Sequence, residues 1–554
     1  MHPAFSGFAR ISARLLHFLL TALLLFTLSL SAFAHTGSVF VPVDSWTYPA
    51  AERLAVLTGM RNEALGMRPW TRVQFAHLLE RARLRPHSSE ADELQSELEH
   101  EFAPELNGQQ EKWALDAAYA RAMQIAGEPL RDSYHFGQTF ANDFGRDYGQ
   151  GFNAITGHSG YAQYRAGFVA LRGEYQHGAP LGGPSTSAIQ SLATNDWVPA
   201  GQVLTQGSSG VDHYRLLDAY TGVSFGRFSA TLGKQSLWWS PDLGGAFMES
   251  NNAEPIWMAR LTNDIPYKLP ILGYARLDMF YGKLQGHKYL QQPWIHGEKI
   301  TFQPFKDFEV GFTRTVVFLG VGRGTTFSRI WHSYISVDDG PPGNNQADTN
   351  ASDPGDRRGA VDFSWKLPRI PVTLYSDSFA DDDPTPLASP KRSSFRPGIY
   401  IAHLPGLLAR LDLRGEGGYT ASQDSTEPNG FNYWNSSYRD GYTSKGLLIG
   451  DAMGRAAVTW QAWSTYWLSA RSNVQVSYRN RYVSPQFLQG GGTQNSFRAG
   501  TNLQISPTLE VQFGVQPERV RIPLLTGSPN AHYDVSGWAG MRFSPEHHAH
   551  TGNY

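Results

Sequence analysis

The sequence predicts an outer-membrane antiparallel β-barrel of about 18 strands, mainly β, with a small N-terminal α-helical bundle. Three observations predict it: a leader typical of exported proteins, segments in which apolar and polar residues alternate, and connections that alternate between short and long. The composition agrees, because 13% of the 554 residues are aromatic and only 17% are charged. The mean hydropathy of −0.37 excludes a bundle of membrane helices.

Residues 1–34 are predicted to form a cleaved signal peptide. Arg10 and Arg14 precede the apolar run LLHFLLTALLLFTLSLSAFA, which ends on small residues. A basic start, an apolar middle and a small-residue end mark a secretory leader, so cleavage before His35 is expected. No later stretch approaches the ~20 apolar residues that a spanning helix needs, so the exported chain is expected to enter the outer membrane as strands.

Residues 35–130 are predicted to form the helical bundle. Thr47 is placed to cap one helix, the capping box Thr71-x-x-Gln74 starts a second, and Ser89 opens a third. Apolar residues recur at helical spacing in these segments, as in VQFAHLLERA. Three short amphipathic helices offer little core of their own, so the bundle is expected to dock on a larger unit.

Residues 131–543 are predicted to form the transmembrane barrel, with a first strand near Tyr134 and a polar tail over 544–554. The segments LDAYTGVSF and DFEVGFTRT alternate apolar with polar residues, as a strand with two different faces does. Alternation alone also fits a soluble sandwich. The connections discriminate, because short links such as Gly226-Arg227 alternate with long polar ones such as 319–358. Transmembrane barrels have short periplasmic turns and long outer loops.

The residue content excludes several functions. No cysteine is present, which excludes disulfides, thiol catalysis and thiolate metal sites. The net charge of −2 gives no indication of a nucleic-acid partner. Gly222–Gly226 matches the G-x-S-x-G pattern but lies in an alternating segment without a following helix, so no nucleophile elbow is predicted. No catalytic residue and no cofactor are predicted, and a pair of acids for glycoside cleavage stays an open alternative.

Four stretches carry a resemblance to a known family. They are VPVDSWTYPAAERLAVLTGM, LRDSYHFGQTFANDFGRDYGQGFNAITG, GKQSLWW with GGAFMESNNAEP, and YRDGYTSKGLLIGDAMG. Together they resemble the capsule assembly Wzi family over nearly the whole chain that follows the leader. The resemblance implies an outer-membrane barrel with a periplasmic helical bundle. It also implies a non-catalytic lectin that binds capsular polysaccharide or exopolysaccharide and anchors it at the cell surface.

The partners expected from this resemblance are surface polysaccharide and outer-membrane lipid, and the protein is expected to be a monomer. The barrel assembly machinery is a further expected partner, because barrels often finish on an aromatic residue that serves as an assembly signal. Phe543 ends the last predicted strand and Tyr554 ends the chain, so both stay candidates for that signal. A porin-like or polysaccharide-export channel is the alternative function, and an outer-membrane hydrolase is a further one.

The stretch GKQSLWWSPDLGGAFMESNNAEP holds the first candidate polysaccharide-binding site. Trp238 and Trp239 would point to opposite faces of a strand, so one is expected in the lipid-facing aromatic girdle and the other at the lumen or mouth. Sugars stack on aromatic rings, while amides, carboxylates and guanidinium groups bond their hydroxyls. Four nearby residues supply such groups: Asn251, Asn252, Glu254 and Arg260. A loop that satisfies its own backbone is the competing interpretation.

The loop NGFNYWNSSYRDGY holds the second candidate site, with Tyr433, Trp434 and Arg439 as its sugar-contacting residues. An aromatic girdle with a solvated loop is the competing interpretation. The acidic runs SDSFADDDP and VDDGPPGNNQADTNASDPGD lack EF-hand spacing, so they are interpreted as solvated loops and no metal site is predicted. Arg276 and Asp278, on one strand face, are expected to pack against a plug in the lumen.

Overall fold

The computed structural model describes residues 37–60, 66–85, 88–109, 111–207, 209–335, 355–383, 385–423 and 430–545. The predicted signal peptide and all but two residues of the predicted tail lie outside these ranges. No helix in this part of the chain is long and apolar enough to cross a membrane.

Eighteen antiparallel strands form one closed barrel, which confirms the predicted fold class. Each strand pairs with the next along the chain, and β1 pairs with β18 to close the cylinder. In chain order β1 to β18 are Glu111–Ala126, Gly151–Tyr164, Gly167–Gly178, Val211–Phe225, Phe228–Gln235, Ile256–Asn263, Gly273–Lys283, Trp294–Phe305, Phe308–Phe318, Asp356–Lys366, Val372–Asp381, Ser394–Ile401, Leu411–Tyr419, Ala457–Trp467, Asn473–Val483, Gly492–Ser506, Leu509–Arg521 and His532–Phe543. Tyr267–Leu269 extends the pairing of β6 with β7.

The predicted boundary between bundle and barrel at residue 130 is wrong. The barrel begins at Glu111, and Tyr134 lies between two-residue strands, Arg131–Asp132 and Gly137–Gln138, that form a separate hairpin. The sequence of β1, EKWALDAAYARAMQIA, is rich in residues that favour helices. Pairing with β18 on one side and β2 on the other makes it a strand, because tertiary context overrides a weak local preference.

Three helices and a short turn of helix precede the barrel. They are α1 Thr47–Leu57, α2 Arg72–Ala82, α3 Ser89–Glu101 and α4 Ala103–Leu106. The predicted capping box of α2 is present, with the Thr71 hydroxyl accepting from the Gln74 amide and the Gln74 side chain accepting from the Thr71 amide. The N-cap of α3 is Ser88 rather than Ser89, and that of α1 is Trp46 rather than Thr47.

The bundle docks on the rim of short turns, which is the periplasmic rim of outer-membrane barrels. The guanidinium of Arg53 is fully buried there and donates to the carbonyls of Ala402 and Ala409 beside β12 and β13. The same group forms an ion pair with Glu90 of α3 at 2.6 Å. Glu52 of α1 pairs with Arg414 of β13 at 2.8 Å. The bundle is therefore joined to the barrel through buried charge as well as apolar packing.

The long connections fold inward and fill the lumen. A continuous apolar core joins the loops at 236–255 and 430–456 to inward-facing wall residues, and its members include Trp239, Phe247, Tyr433, Leu448 and Phe379. The remaining helices lie in these outer connections: α5 Thr186–Asp196, α6 Phe327–Ile335 and α7 Pro523–Thr526, with 3₁₀ turns at Ala200–Gln202 and, on the opposite rim, Gly406–Leu408. The inward-folded loops are called the plug below.

The connection after β9 differs, because its helix α6 lies on the outside of the barrel. Ile295 belongs to the luminal core, so its neighbour His296 points outward. His296 is nevertheless buried, since the ring of Tyr334 in α6 stacks on it with centroids 4.0 Å apart. The outward-facing Arg314 donates to the carbonyls of Ser333 and Tyr334 at 2.8 and 2.6 Å.

Replacing Arg53 by methionine is expected to release the bundle from the barrel. The change removes the guanidinium but leaves Glu90 and two carbonyls without their donor, and breaking such a buried pair costs about 3 kcal/mol. Limited proteolysis of the purified protein in detergent should cleave residues 37–109 faster than in the wild type. Arg83→Met, which removes an exposed pair with Glu99, is the control and should leave the cleavage rate unchanged. Equal cleavage of the two variants contradicts the docking role.

Candidate functional site

Trp238 and Trp239 both lie in the plug, so the prediction that one of them faces lipid is wrong. Strand β5 ends at Gln235, three residues before the pair, and the alternation of a strand therefore does not apply to them. Trp238 packs in a luminal cluster and donates to the carbonyls of Ser240 and Asp242 at 3.0 and 3.2 Å.

Trp239 connects the plug to the barrel wall. Its indole nitrogen donates to Asp278 at 3.1 Å, and its ring lies 5.4 Å from that of Phe280. Asp278 also receives two hydrogen bonds from Arg260, at 2.7 and 2.8 Å. These contacts confirm that Asp278 packs against a plug, and they place Arg260 in the same buried network. Arg276 donates to the carbonyl of Met67, in the segment between α1 and α2, at 3.5 Å.

The polar residues that follow the two tryptophans are also used internally. The side chain of Asn252 donates to the Leu448 carbonyl at 2.9 Å and to the Ser133 hydroxyl at 3.2 Å. Glu254 is bound by the ammonium groups of Lys234 and Lys445. Asn251 is buried beside them, and its carbonyl accepts from the Phe144 amide at 2.7 Å.

Tyr433 and Trp434 hold the second inward loop in place. The Tyr433 ring stacks on Phe379 of the wall at 4.7 Å, and its hydroxyl donates to the Phe247 carbonyl at 2.8 Å. The indole of Trp434 donates to the Asp196 carbonyl at 3.3 Å. All nine predicted site residues thus have partners inside the protein; eight of them are buried, and Arg439 alone is partly exposed. Contact of these nine residues with polysaccharide stays a prediction.

An aromatic and arginine cluster, of which the sequence analysis singled out only Arg439, lies on the rim of long loops. Trp197 is 45% exposed, and its ring packs edge-on against that of Trp434 at 4.7 Å. The guanidinium of Arg439 lies 4.3 Å from the ring of Tyr289 and donates to the Trp197 carbonyl. Nearby, Arg323 lies 4.8 Å from the ring of Tyr438. Trp197, Tyr289, Arg323, Tyr438 and Arg439 are called the rim cluster below.

The rim cluster combines four loops that are far apart in sequence. Trp197 follows α5 directly and adopts a left-handed backbone conformation, with φ of 57°. Aromatic residues beside arginine in a long loop were the signal that selected Arg439. The same signal did not select Trp197, because the pattern is common on loop surfaces.

A buried histidine fixes the hairpin at 131–138 under the rim cluster. His135 lies between Asp132 and Asp196, with its two ring nitrogens 2.9 and 2.8 Å from their carboxylates. Arg455 also binds Asp196, at 2.5 Å. Burial opposes a charge on the imidazole, but the two carboxylates outweigh it and raise the pKa of His135 to about 9.

Glu249, in the same plug, is held in its neutral form. The side chain is buried, and burial raises its pKa to about 8 although the Tyr442 hydroxyl donates to it at 3.0 Å. The plug therefore holds both a neutral carboxyl and a charged imidazole, because the protonation state of each group is set by the residues around it.

Three carboxylates of the described residues lie close enough to share a metal ion: Asp356, Asp381 and Asp382. Arg358 lies between two of them, 2.9 Å from Asp356 and 3.0 Å from Asp381. Its guanidinium supplies the positive charge that these carboxylates need, so they form an ion-pair network. The other acidic run, VDDGPPGNNQADTNASDPGD, lies almost entirely outside the described residues.

The family of capsule assembly protein Wzi is matched by residues 120–534. The chain belongs to this family. The match covers the whole barrel except parts of the first and last strands. It confirms the family recognised in the four sequence stretches and a function in capsule assembly.

Two relatives agree with this family assignment. Wzi of Escherichia coli, described as a carbohydrate-binding β-barrel involved in group 1 capsule assembly, superposes with a TM-score of 0.67. The identity is 16%, over 92% of this chain and 99% of that one, so the likeness is one of fold. An uncharacterised 55.8 kDa protein in the cps region of Klebsiella pneumoniae is 26% identical over 214 residues. That alignment spans 37% of this chain and 40% of the Klebsiella protein.

Raising the pH is expected to weaken the plug of this Wzi family member through His135. A pKa raised from 6.5 to about 9 gives stability that is fully present below pH 6.5 and is lost as the pH rises through 9. The loss amounts to about 3 kcal/mol. The thermal midpoint in detergent should therefore fall further between pH 6 and pH 9.5 for the wild type than for His135→Asn.

Glu249 also loses stabilisation over part of this pH range, but it does so in both proteins. The difference between the wild type and His135→Asn therefore isolates the contribution of His135. His77→Asn, at an exposed position of α2, is the matched control and should behave as the wild type. Parallel pH profiles for the wild type and His135→Asn contradict the assignment.

Proposed function

We propose that this protein is a non-catalytic outer-membrane anchor that binds capsular polysaccharide or exopolysaccharide at the cell surface. The observation that carries the proposal is a barrel filled by its own loops, with the exposed Trp197 and the partly exposed Arg439 of the rim cluster above the filling. A filled barrel of this width favours a binding surface over a conduit. The carbohydrate binding described for Escherichia coli Wzi supports the same ligand class.

The outer wall supports a position in lipid. Large apolar side chains at outward-facing strand positions are exposed all around the barrel, including Leu232, Trp257, Phe312, Val474 and Phe513. A belt of this size would be an aggregation hazard in water, and it is what an outer-membrane barrel presents to acyl chains. The secretory leader in the sequence supports export through a cleaved signal peptide.

Insertion by the barrel assembly machinery is part of the same proposal. Phe543 pairs with Ala118 at the closing seam, and its ring is exposed on the wall. This position suits a signal at the end of the last strand, so we assign the signal to Phe543 rather than to Tyr554. We also propose that the protein acts as a monomer, because one chain closes its own barrel and fills its own lumen.

The rim cluster has the chemistry that glycan recognition uses. The exposed ring of Trp197 offers a face or edge for a sugar ring, and Arg439 offers fixed paired donors for hydroxyl or carboxylate groups. The side chain of Asn435 lies in the same loop, where its oxygen accepts from the Ser437 amide. Because these residues are held by buried partners, they require little ordering when a ligand binds.

Replacing Trp197 by alanine is expected to weaken retention of native surface polysaccharide about tenfold, since loss of about 1.4 kcal/mol corresponds to one factor of ten. Arg439→Ala should have a similar effect. The measurement is capture of polysaccharide from the native host on detergent-solubilised, immobilised protein. Trp113→Ala, exposed near the opposite rim, is the matched control and should retain polysaccharide as the wild type does. If both single variants, Trp197→Ala and Arg439→Ala, retain polysaccharide fully, the rim cluster is excluded as the polysaccharide-binding site.

Planar bilayers separate the anchor from the channel alternative. The wild-type protein is expected to conduct poorly, because its lumen is filled. High conductance together with no polysaccharide capture by the wild type would reject the anchor and favour the channel.

A further inference from the structure

A cavity of about 340 Å³ lies between the plug and one side of the barrel wall. The wall contributes side chains from β1 and β14–β18, and the plug contributes residues 139–143 and 243–244. The volume falls at the low end of small-ligand pockets, roughly 300–1,000 Å³. None of the nine predicted site residues lines it.

Three arginines converge on this cavity, and one of them has no carboxylate partner. Arg121 pairs with Asp143 at 2.7 Å, and Arg479 lies 3.8 Å from Glu518. Arg498 projects inward from β16 in line with Gln494 and Ser496, and its guanidinium lies 4.6 Å from the ring of Trp538. Among the described residues, no carboxylate lies within ion-pair distance of it. Two carboxylates for three guanidinium groups leave one positive charge uncompensated inside the barrel.

The uncompensated guanidinium is available to an anionic ligand. An unpaired ion inside a protein is unfavourable unless water or a counter-charge solvates it. Arg498 keeps much of its surface accessible to solvent although it points into the lumen, so the cavity is open to water. A guanidinium with free donors binds a carboxylate through two parallel hydrogen bonds.

The rest of the lining suits a sugar. Aromatic rings are supplied by Phe140 and Trp463, and neutral donors and acceptors by Gln461, Gln475 and Ser477. Rings and amides side by side are the groups that contact the apolar faces and hydroxyls of a pyranose. We propose that this cavity binds a carboxylate-bearing sugar unit, with Arg498 as the residue that pairs with the carboxylate.

We assign ligand entry to the periplasmic rim, because two further cavities follow this one in that direction. Arg121 and Asp143 also line a second cavity of about 200 Å³, which extends to Arg172 and Arg542. Those two arginines line a third cavity that continues to Ser544 beside the bundle. The three cavities therefore follow one another from the periplasmic rim to the middle of the barrel.

The opposite end of this route is closed. Arg479 donates to the Gln138 carbonyl at 2.9 Å, Gln516 donates to the Thr139 carbonyl at 3.1 Å, and the Thr139 hydroxyl donates to Glu518 at 2.6 Å. The hairpin at 131–138 and the residue after it thus separate the cavity from the rim cluster. The luminal site is distinct from the proposed polysaccharide surface and does not depend on it.

Calorimetric titration of the purified full-length protein in detergent tests the site. D-Glucuronate is the probe that carries both a sugar ring and a carboxylate, D-glucose carries the ring alone, and acetate carries the carboxylate alone. Saturable binding of glucuronate to the wild type is expected, with glucose and acetate weaker by about tenfold or more. Acetate binding as tightly as glucuronate reduces the cavity to an anion site and overturns the sugar assignment. No glucuronate binding overturns the proposal entirely.

Arg498→Gln should weaken glucuronate binding by about tenfold or more, because the charged half of the interaction is removed. Arg498→Lys keeps the charge without the paired donors and should give an intermediate affinity. Arg369→Gln, at an exposed turn on the periplasmic rim, is the matched control and should bind as the wild type does. Unchanged binding by both Arg498 variants overturns the assignment. Capture of native polysaccharide by Arg498→Gln should stay at the wild-type level, which keeps this test separate from that of the rim cluster.

Discussion

Closure of the strand ladder is the constraint on which the rest of this structure depends. In lipid every backbone amide and carbonyl must be paired within the protein, so the first strand has to meet the last. Here residues 118–126 of β1 pair with 535–543 of β18 without interruption. A cylinder of this many strands encloses a wide interior, and that interior must hold either water or protein. The long loops on one rim provide the protein.

Filling a barrel interior is a problem of charge as much as of volume. The inward face of each strand is polar, so the plug has to meet guanidinium, ammonium and carboxylate groups with partners. Lys299 binds Asp362 at 2.5 Å, and Arg146 binds Glu174 at 2.7 Å. Such buried pairs add little net stability, because desolvation of the ions offsets their attraction. Their effect is specificity: a loop that folded inward differently would leave ions unpaired, which costs far more than the pair contributes.

The alternating period and the loop asymmetry were sufficient to predict the barrel and its even strand count, and the resemblance in four sequence stretches was sufficient to recognise its family. The sequence failed where local pattern and tertiary environment disagree. β1 has a helical composition and becomes a strand only because two neighbours pair with it. Trp238 and Trp239 follow the end of β5, so strand alternation gave them the wrong surroundings. Arg439 was predicted, but its meeting with Trp197 in the rim cluster was not, since the two residues lie in loops more than two hundred residues apart.

The plug behaves as one body with the bundle rather than as a gate between two compartments. The segment between α1 and α2 of the bundle reaches the plug, where Arg68 and Trp238 exchange backbone hydrogen bonds of 2.9 and 3.1 Å. Trp239 then donates to the Glu249 carbonyl, and Ser250 to the Ile449 carbonyl, so two inward loops and the bundle share one ladder of backbone contacts. Opening a channel would break these bonds together with the buried ion pairs around them. These shared backbone contacts place the fully buried Arg53 at the periplasmic rim and the exposed Trp197 at the outer rim on a single rigid support. A ligand surface built on such a support loses little freedom when it binds, which is what an anchor for a long polymer requires.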